Sequence, residues 1–262
     1  MERVIIIPAL NPDERLKEII NTNWDLENLV IVVDDGSGKE YQRIFQEISG
    51  KCIVLRHEKN RGKGAAIKTG LDYIEKEVWD CRIIGTMDAD GQHCAEDMDR
   101  LMTKAAGHSD TLILGARRMD KTAPWRSRIG NFITRIVFSA LTGKKVRDTQ
   151  TGLRAFSRTL LEFMIQVPGE RYEYETNVLI ACVKKKIPIL EEEVPAIYHD
   201  RKNSGSHFRK IKDSFRIYKD LIHFTLSSFS CFVLGANAGA RIWSGIPIYF
   251  SKLLTARGGM TR

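Results

Sequence analysis

The sequence predicts an α/β fold, an open and mostly parallel β-sheet with helices on both faces. Short, β-branched apolar runs alternate with helical segments through the first half of the chain. The connections between them are short, as in right-handed βαβ units. Polar residues gather just beyond the ends of the apolar runs rather than inside them. Strands of a parallel sheet are covered on both faces, so continuous apolar runs rather than alternating ones are their signature.

Each element follows from this pattern. Val4–Pro8 reads as a buried strand and Asp13–Ile20 as a helix. Leu29–Asp34 is a second strand, ending in Asp34-Asp35-Gly36-Ser37, and Tyr41–Ile48 is helical. Lys51–Arg56 is a third strand, and Gly62–Lys76 is a helix opened by a Gly-rich turn. Arg82–Met87 is a fourth strand running into Asp88-Ala89-Asp90. Glu96–Ala106 is a helix and Thr111–Ala116 a fifth strand. In the second half, Arg126–Leu141 is a long helical stretch, Val146–Ser157 a loop returning to a strand, and Tyr174–Lys186 a helix. Ile187–Arg201 is a strand pair or an extended edge. Arg209–Phe224 carries Ile211, Phe215, Tyr218 and Ile222 on one stripe and Lys210, Lys212, Arg216 and Lys219 on the other face, an amphipathic helix.

Composition narrows the class. The 262 residues are 43% hydrophobic and 28% charged, ordinary globular material. Five scattered cysteines without a C-x-x-C pair argue against a disulfide framework or zinc site and for a reducing compartment. The apolar run at the N-terminus is too short for a signal peptide, so a cytoplasmic start is expected. The formal net charge is +8. All of the excess falls between His199 and Arg262, while the preceding residues balance, which speaks against an extended nucleic-acid surface. Leu221–Leu234 is apolar but shorter than the ~20 residues that span a bilayer. An interfacial segment, the start of a truncated membrane domain, and a core helix all remain open for it.

Asn11, Asp34, Asp35, Asp88, Asp90 and Arg117 lie just past strand ends, the edge at which open α/β sheets bind ligands. A single Asp there is most simply a turn former or helix cap. Acids delivered by several strands to one edge are harder to explain that way. Asp88-Ala89-Asp90-Gly91-Gln92-His93 places two carboxylates two residues apart in a turn. Hard divalent cations such as Mg²⁺ or Mn²⁺ take one or two carboxylates and let substrate phosphates complete the set. Gln92 can add an amide oxygen; His93 could ligate a softer metal, but a solvated loop histidine is the expectation. Asn60–Leu71 opens a helix with two glycines and basic residues, and its free N–H groups favour an anion, although simple capping explains it equally well. Gly36-Ser37-Gly38-Lys39 is not a P-loop, because Val33 and Glu40 stand where that motif needs Gly and Ser or Thr.

The segments IIIPALNPDE, VVDDGSG, NRGKGAAIKTGL, MDADGQH, GARR, RIGN, DTQTGLRAF and VPAIYHDRKNSGS occur in this order. With them the chain resembles the family 2 glycosyltransferases of GT-A fold, a Rossmann-like architecture. Within these it is most similar to the polyprenyl-phosphate sugar transferases of the dolichyl-phosphate mannosyltransferase-like group. The resemblance covers roughly residues 2–225 and implies residue roles. Pro8, Ala9, Asn11 and Glu14 would line the nucleotide pocket, with Asp35 on the nucleoside. Lys63 and Arg154 would also contact substrate. Asp88, Asp90 and Gln92 would hold Mg²⁺ or Mn²⁺ on the donor diphosphate. Arg117, Arg128 and Arg201 would bind phosphate oxygens of donor or acceptor, and Asp148 and Gln150 would lie near the sugar. Asp90, Asp148, Gln150 and Arg128 are the catalytic candidates.

These roles imply transfer from a UDP- or GDP-linked sugar to a polyprenyl phosphate with inversion. The acceptor phosphate, with a second pKa of about 6, is largely dianionic and needs little help from a general base. Residues 1–208 would form the catalytic domain, and residues 209–262 a membrane-associated helix and tail at an anionic membrane surface on the cytoplasmic side. Two rival readings are a family 2 transferase acting on a polysaccharide or cell-wall sugar, which would need a base for a hydroxyl, and an inactive membrane-binding scaffold.

Overall fold

The computed structural model describes residues 2–21, 28–117, 135–136, 138–139 and 142–195. Among them the strands are β1 (Arg3–Ala9), β2 (Asn28–Asp34), β3 (Ile53–Arg56), β4 (Ile83–Thr86), β5 (Leu112–Arg117), β6 (Arg154–Ser157) and β7 (Ile189–Val194). The helices are α1 (Glu14–Asn21), α2 (Gln42–Ile48), α3 (Lys63–Glu77), α4 (Ala95–Ala106), α5 (Leu161–Gln166) and α6 (Glu173–Lys185). One sheet runs β3-β2-β1-β4-β6-β5-β7. β1 pairs in parallel with β2 on one side and with β4 on the other. The direction of strand succession therefore reverses between β1 and β4, and the crevice beyond their carboxyl ends is where such sheets take ligands. β6 runs antiparallel between β4 and β5, and β7 closes the edge parallel to β5.

Side-chain alternation along the strands builds two cores. Val4 and Ile6 of β1, Ile31 and Val33 of β2 and Phe156 of β6 face α3, α5 and α6, where Ile67, Leu71, Ile74, Met164, Val178 and Leu179 meet them. Ile5 and Ile7, with Val30 and Val32, face α1, α2 and α4 through Leu16, Ile19, Phe45, Met98 and Leu101. A slip of one residue in β1 would exchange its two sets, so the register is held by both cores. At the carboxyl ends pairing runs past the strands. Met87 N donates to Ile6 O at 3.0 Å, Asp35 N to Ala9 O at 2.8 Å, and His57 N to Asp34 O at 2.9 Å. The turns that carry the polar residues thus begin from a braced sheet edge.

The expected strands and helices of the first half are present, with ends moved by a residue or two. α5 was not anticipated. It is short and entered through a 3₁₀ turn at Arg158–Leu160, which shortens its periodic signal. Within Ile187–Arg201 the described residues hold the single strand β7 at the sheet edge. Nearly all of Arg126–Leu141, the helix expected at Arg209–Phe224 and the apolar stretches after it lie outside the described residues. No helix among the described residues is long and apolar enough to cross a membrane.

Candidate active site

Three turns and the start of one helix build the site. At the β1 and β2 ends, Asn11 takes a left-handed conformation (φ 47°), which asparagine tolerates better than most residues. Its backbone N–H donates to Ser37 Oγ at 2.8 Å, and its side-chain oxygen accepts from Gly38 N at 3.1 Å. The two turns are thereby tied together beside Pro8 and Ala9. Glu14, at the start of α1, leans outward and pairs with Lys17, its side chain 69% exposed.

Asp35 is buried, and its carboxylate serves the protein. Oδ1 accepts from Arg61 N at 2.8 Å and Oδ2 from Gly62 N at 2.8 Å, while His57 Nδ1 lies 2.7 Å from Oδ1. The other ring nitrogen of His57 is 2.9 Å from Thr69 Oγ1. Asp35 thus orders the turn that starts α3. In that turn Gly62 has φ 112°, and a Cβ there would lie 2.4 Å from Glu170 O. Only glycine fits this junction of α3 with the loop before α6. The resemblance gave Asp35 to the nucleoside. In the structure its carboxylate oxygens hold the α3 turn.

Lys63, the first residue of α3, reaches into the β4 turn. Its Nζ lies 2.5 Å from Asp88 Oδ1 and 2.7 Å from Glu175 Oε1, beside the ring of Tyr172. Burial opposes the charge on Lys63, but the carboxylates of Asp88 and Glu175 more than offset it and hold its pKa above the ordinary lysine range. Burial likewise pushes Asp88 upward, and the Lys63 ammonium reverses this and holds it below the usual carboxylate range. For Asp90 the balance differs. Burial, then the charge of Asp88, push it up to about 6, while Gln92 N donates to its Oδ1 at 3.1 Å. Two neighbouring half-buried acids, of which only Asp88 has a cation on it, make a site with unspent negative charge.

The loop before β6 covers this turn. Asp148 is fully buried, and burial raises its pKa, but the Arg117 guanidinium outweighs that and holds it low. Arg117 Nε donates to Asp148 Oδ2 at 2.6 Å, and its two Nη atoms reach Asp148 Oδ1 and Gln92 Oε1, each at 3.3 Å. Gln150 N donates to Asp148 Oδ1 at 3.1 Å. Gly152 packs on Asp88 so closely that a Cβ there would lie 2.5 Å from both carboxylate oxygens. Thr86 Oγ1 donates to Gly152 O at 2.9 Å and fixes the approach.

Two further expectations change. His93 is buried rather than solvated, only 4% exposed, because the turn folds it under Arg117 and Asp148. Burial, with the charge of Arg117, drops its pKa to about 4, so the ring is neutral. Arg154, expected on substrate, is buried in β6, where Nε donates to Thr151 O at 3.0 Å and Nη1 to Glu175 O at 2.9 Å. Arg128 and Arg201 lie outside the described residues. The structure therefore brings Lys63, Asp88, Asp90, Gln92, Arg117, Asp148 and Gln150 to one edge. Glu175 and Gly152 join them unanticipated, and His57 braces Asp35 in the neighbouring turn. Glu175 had a signal in the sequence, an acid within the mostly apolar helix Tyr174–Lys186.

The donor set suits a hard divalent cation. Asp88 and Asp90 offer carboxylate oxygens, and an ammonium already rests on Asp88. Among the described residues no three His, Cys, Asp or Glu side chains converge as a complete cage. Oxygens from a bound diphosphate would fill out such a set.

Comparison with known proteins agrees with this geometry. Residues 4–165 match glycosyl transferase family 2. The chain is 32% identical over 216 residues to UDP-N-acetylglucosamine--dolichyl-phosphate N-acetylglucosaminyltransferase of Methanococcus voltae, covering 74% of this chain and 85% of that protein. It is 26% identical over 215 residues to undecaprenyl-phosphate 4-deoxy-4-formamido-L-arabinose transferase of Enterobacter sp. strain 638, covering 78% of this chain and 62% of that one. The crystal structure of glucosyl-3-phosphoglycerate synthase from Mycobacterium tuberculosis in complex with Mg²⁺ and UDP superposes with a TM-score of 0.64 at 19% identity, covering 86% of this chain and 78% of that one. This last likeness is one of fold. The sheet with its switch at β1 and β4, the acidic turn lodged there and the match over residues 4–165 lead to one conclusion: the chain belongs to glycosyl transferase family 2.

Proposed function

We propose that the protein transfers a sugar, with inversion, from a nucleotide-diphosphate sugar to a polyprenyl phosphate at the cytoplasmic face of a membrane. The observation that carries the reading is the Asp88–Asp90 turn, set in the switch-point crevice with a cation, the Lys63 ammonium, already on Asp88. The relatives named as dolichyl-phosphate and undecaprenyl-phosphate transferases support the acceptor class. The donor's nucleoside would lie over Pro8, Ala9 and Asn11, and its diphosphate would extend toward Asp88 and Asp90.

Asp88 and Asp90, with Gln92, would hold Mg²⁺ or Mn²⁺, which would neutralise charge on the leaving diphosphate. Arg128 and Arg201, with the N–H groups of Arg117 that Asp148 does not take, would supply charge-assisted hydrogen bonds to phosphate oxygens. Asp148 is committed to Arg117 and held ionised, which suits an orienting group better than a proton acceptor poised near neutrality. That favours an acceptor that arrives as an anion, a phosphate, over a sugar hydroxyl. Residues 1–208 would carry the chemistry, and the basic stretch from residue 209 would meet the anionic surface where the lipid acceptor resides.

The test is transfer from a panel of UDP- and GDP-sugars, with Mn²⁺, to a short-chain polyprenyl phosphate and in parallel to free sugars. Product on the lipid phosphate alone, lost on EDTA treatment and in Asp90→Ala, is the expected result. Transfer to free sugars would select the polysaccharide reading, and absence of donor binding in the presence of Mn²⁺ would select the scaffold.

A further inference from the structure

Glu175 lies in the first turn of α6 among Tyr174, Thr176 and Val178, all buried. No step of the proposed transfer uses it. Its side chain is 7% exposed, that of Lys63 13%, and they meet at 2.7 Å. Lys63 also meets Asp88 at 2.5 Å, so one ammonium serves two carboxylates from different elements. The frame around them is closely built. Ala65 N donates to Glu170 O at 2.8 Å, and Arg154 Nη1 donates to Glu175 O at 2.9 Å. A Cβ on Gly64 would lie 2.6 Å from Tyr174 Cβ. The starts of α3 and α6 are therefore locked together, and β6 is locked to α6. In the structure the ammonium touches both carboxylates at once, so Glu175 can retain it when Asp88 is taken by another cation.

We propose that Glu175 is a positioning residue that gives Lys63 a second seat, so that the ammonium can leave Asp88 to a divalent cation while staying in the site. The proposal rests on the reading of Asp88 as a cation ligand. An ammonium and a divalent cation on the same carboxylate repel one another, and more strongly in this partly buried setting than in water. An ammonium with no carboxylate to move to stays where it is, because an unpaired buried charge is costly. Lys63 is then a competitor for the cation's ligand, and Glu175 relieves the competition without being a ligand itself. In its second seat Lys63 also keeps a positive charge near the donor diphosphate.

The test is Mn²⁺ binding to the full chain with UDP at a fixed concentration, read against a protein-free Mn²⁺ and UDP blank from the electron paramagnetic resonance of Mn²⁺ not held by protein. Glu175→Gln is expected to raise Kd about tenfold, or about 1.4 kcal/mol. Lys63→Met is expected to lower Kd below that of the wild type. The double variant should bind at least as tightly as the wild type, because no ammonium is left to relocate. A merely structural Glu175 gives a double variant no tighter than Glu175→Gln. That outcome overturns the proposal, as does Glu175→Gln binding Mn²⁺ like the wild type. If Glu175→Gln does not fold, Glu175→Asp sets the charge one methylene back, and a several-fold rise cancelled by Lys63→Met is expected; no rise overturns the proposal. Failure of the wild type to bind Mn²⁺ overturns the cation reading of Asp88 and this inference with it, whereas binding without rescue removes only the role of Glu175.

Discussion

Gly152→Ala tests the geometry of the acidic turn without removing any of its charges. The Cβ of the new alanine would lie 2.5 Å from both oxygens of Asp88, and ordinary contact starts near 3.4 Å. The carboxylate must therefore retreat by about 0.9 Å. It cannot do so freely, because Lys63 holds Oδ1 at 2.5 Å and Thr86 fixes the backbone of residue 152 at 2.9 Å. Overpacking of this kind costs about 1–3 kcal/mol of stability, which leaves a domain folded. A ligand displaced by about 1 Å is far more damaging to catalysis, on the order of 100-fold. The assay is turnover with saturating donor and Mn²⁺, alongside a urea melt. Gly107→Ala is the control, since its Cβ would meet nothing nearer than 3.7 Å. Folded protein with a large loss of turnover is expected for Gly152→Ala, and near-normal behaviour for Gly107→Ala. Turnover within twofold of the wild type in Gly152→Ala would show that Asp88 does not need its present position, and the reasoning would fail.

Other perturbations bear on the supporting network. Asp148→Ala strips Arg117 of its bidentate partner and should cost about 3 kcal/mol in a urea melt, the low end for a broken buried pair because Arg117 keeps some solvent contact; an unchanged midpoint would contradict the pairing. His57→Ala removes one partner of Asp35 and should cost about 1–2 kcal/mol, with faster amide exchange at Arg61 and Gly62; exchange unchanged at those two amides would separate His57 from the α3 turn. Burial raises the thiols of Cys52 and Cys81 to about 11 and that of Cys182 to about 12. They should resist alkylation at pH 8 until urea unfolds the chain. Unfolded thiols ionise near 9.0. This contribution to stability is therefore complete below pH 9 and lost as pH rises through 11, so a urea midpoint that does not fall over that window would contradict it.

Much of this was legible in the chain because the physics was local. The runs at Val4–Pro8 and Leu29–Asp34 read as parallel strands since only a sheet covered on both faces wants such continuous apolar residues. The turn at Asp88–Asp90 was conspicuous because acids directly after a buried strand need a reason. What stayed hidden depends on contacts distant in sequence. The antiparallel setting of β6 cannot be read from four residues, and it is decided by the partners Thr86 and Leu114 that flank Arg154. His93 looked solvated because its loop is polar, yet tertiary packing encloses it. Asp35 and Arg154 carry charges suited to substrate, but each is drawn into contacts with backbone groups more than twenty residues along the chain, Gly62 N for Asp35 and Glu175 O for Arg154. Glu175 belongs to the site only because α6 lies against the start of α3, a packing that no motif announces.

The account turns on a cation and a diphosphate meeting at the end of β4. Crystals grown with Mn²⁺ and UDP, measured at the manganese absorption edge, test this directly. An anomalous peak between the carboxylates of Asp88 and Asp90, with the diphosphate on its far side, is the predicted result. A peak elsewhere, or a UDP bound with both carboxylates still engaged only by Lys63 and Gln92, would contradict the account.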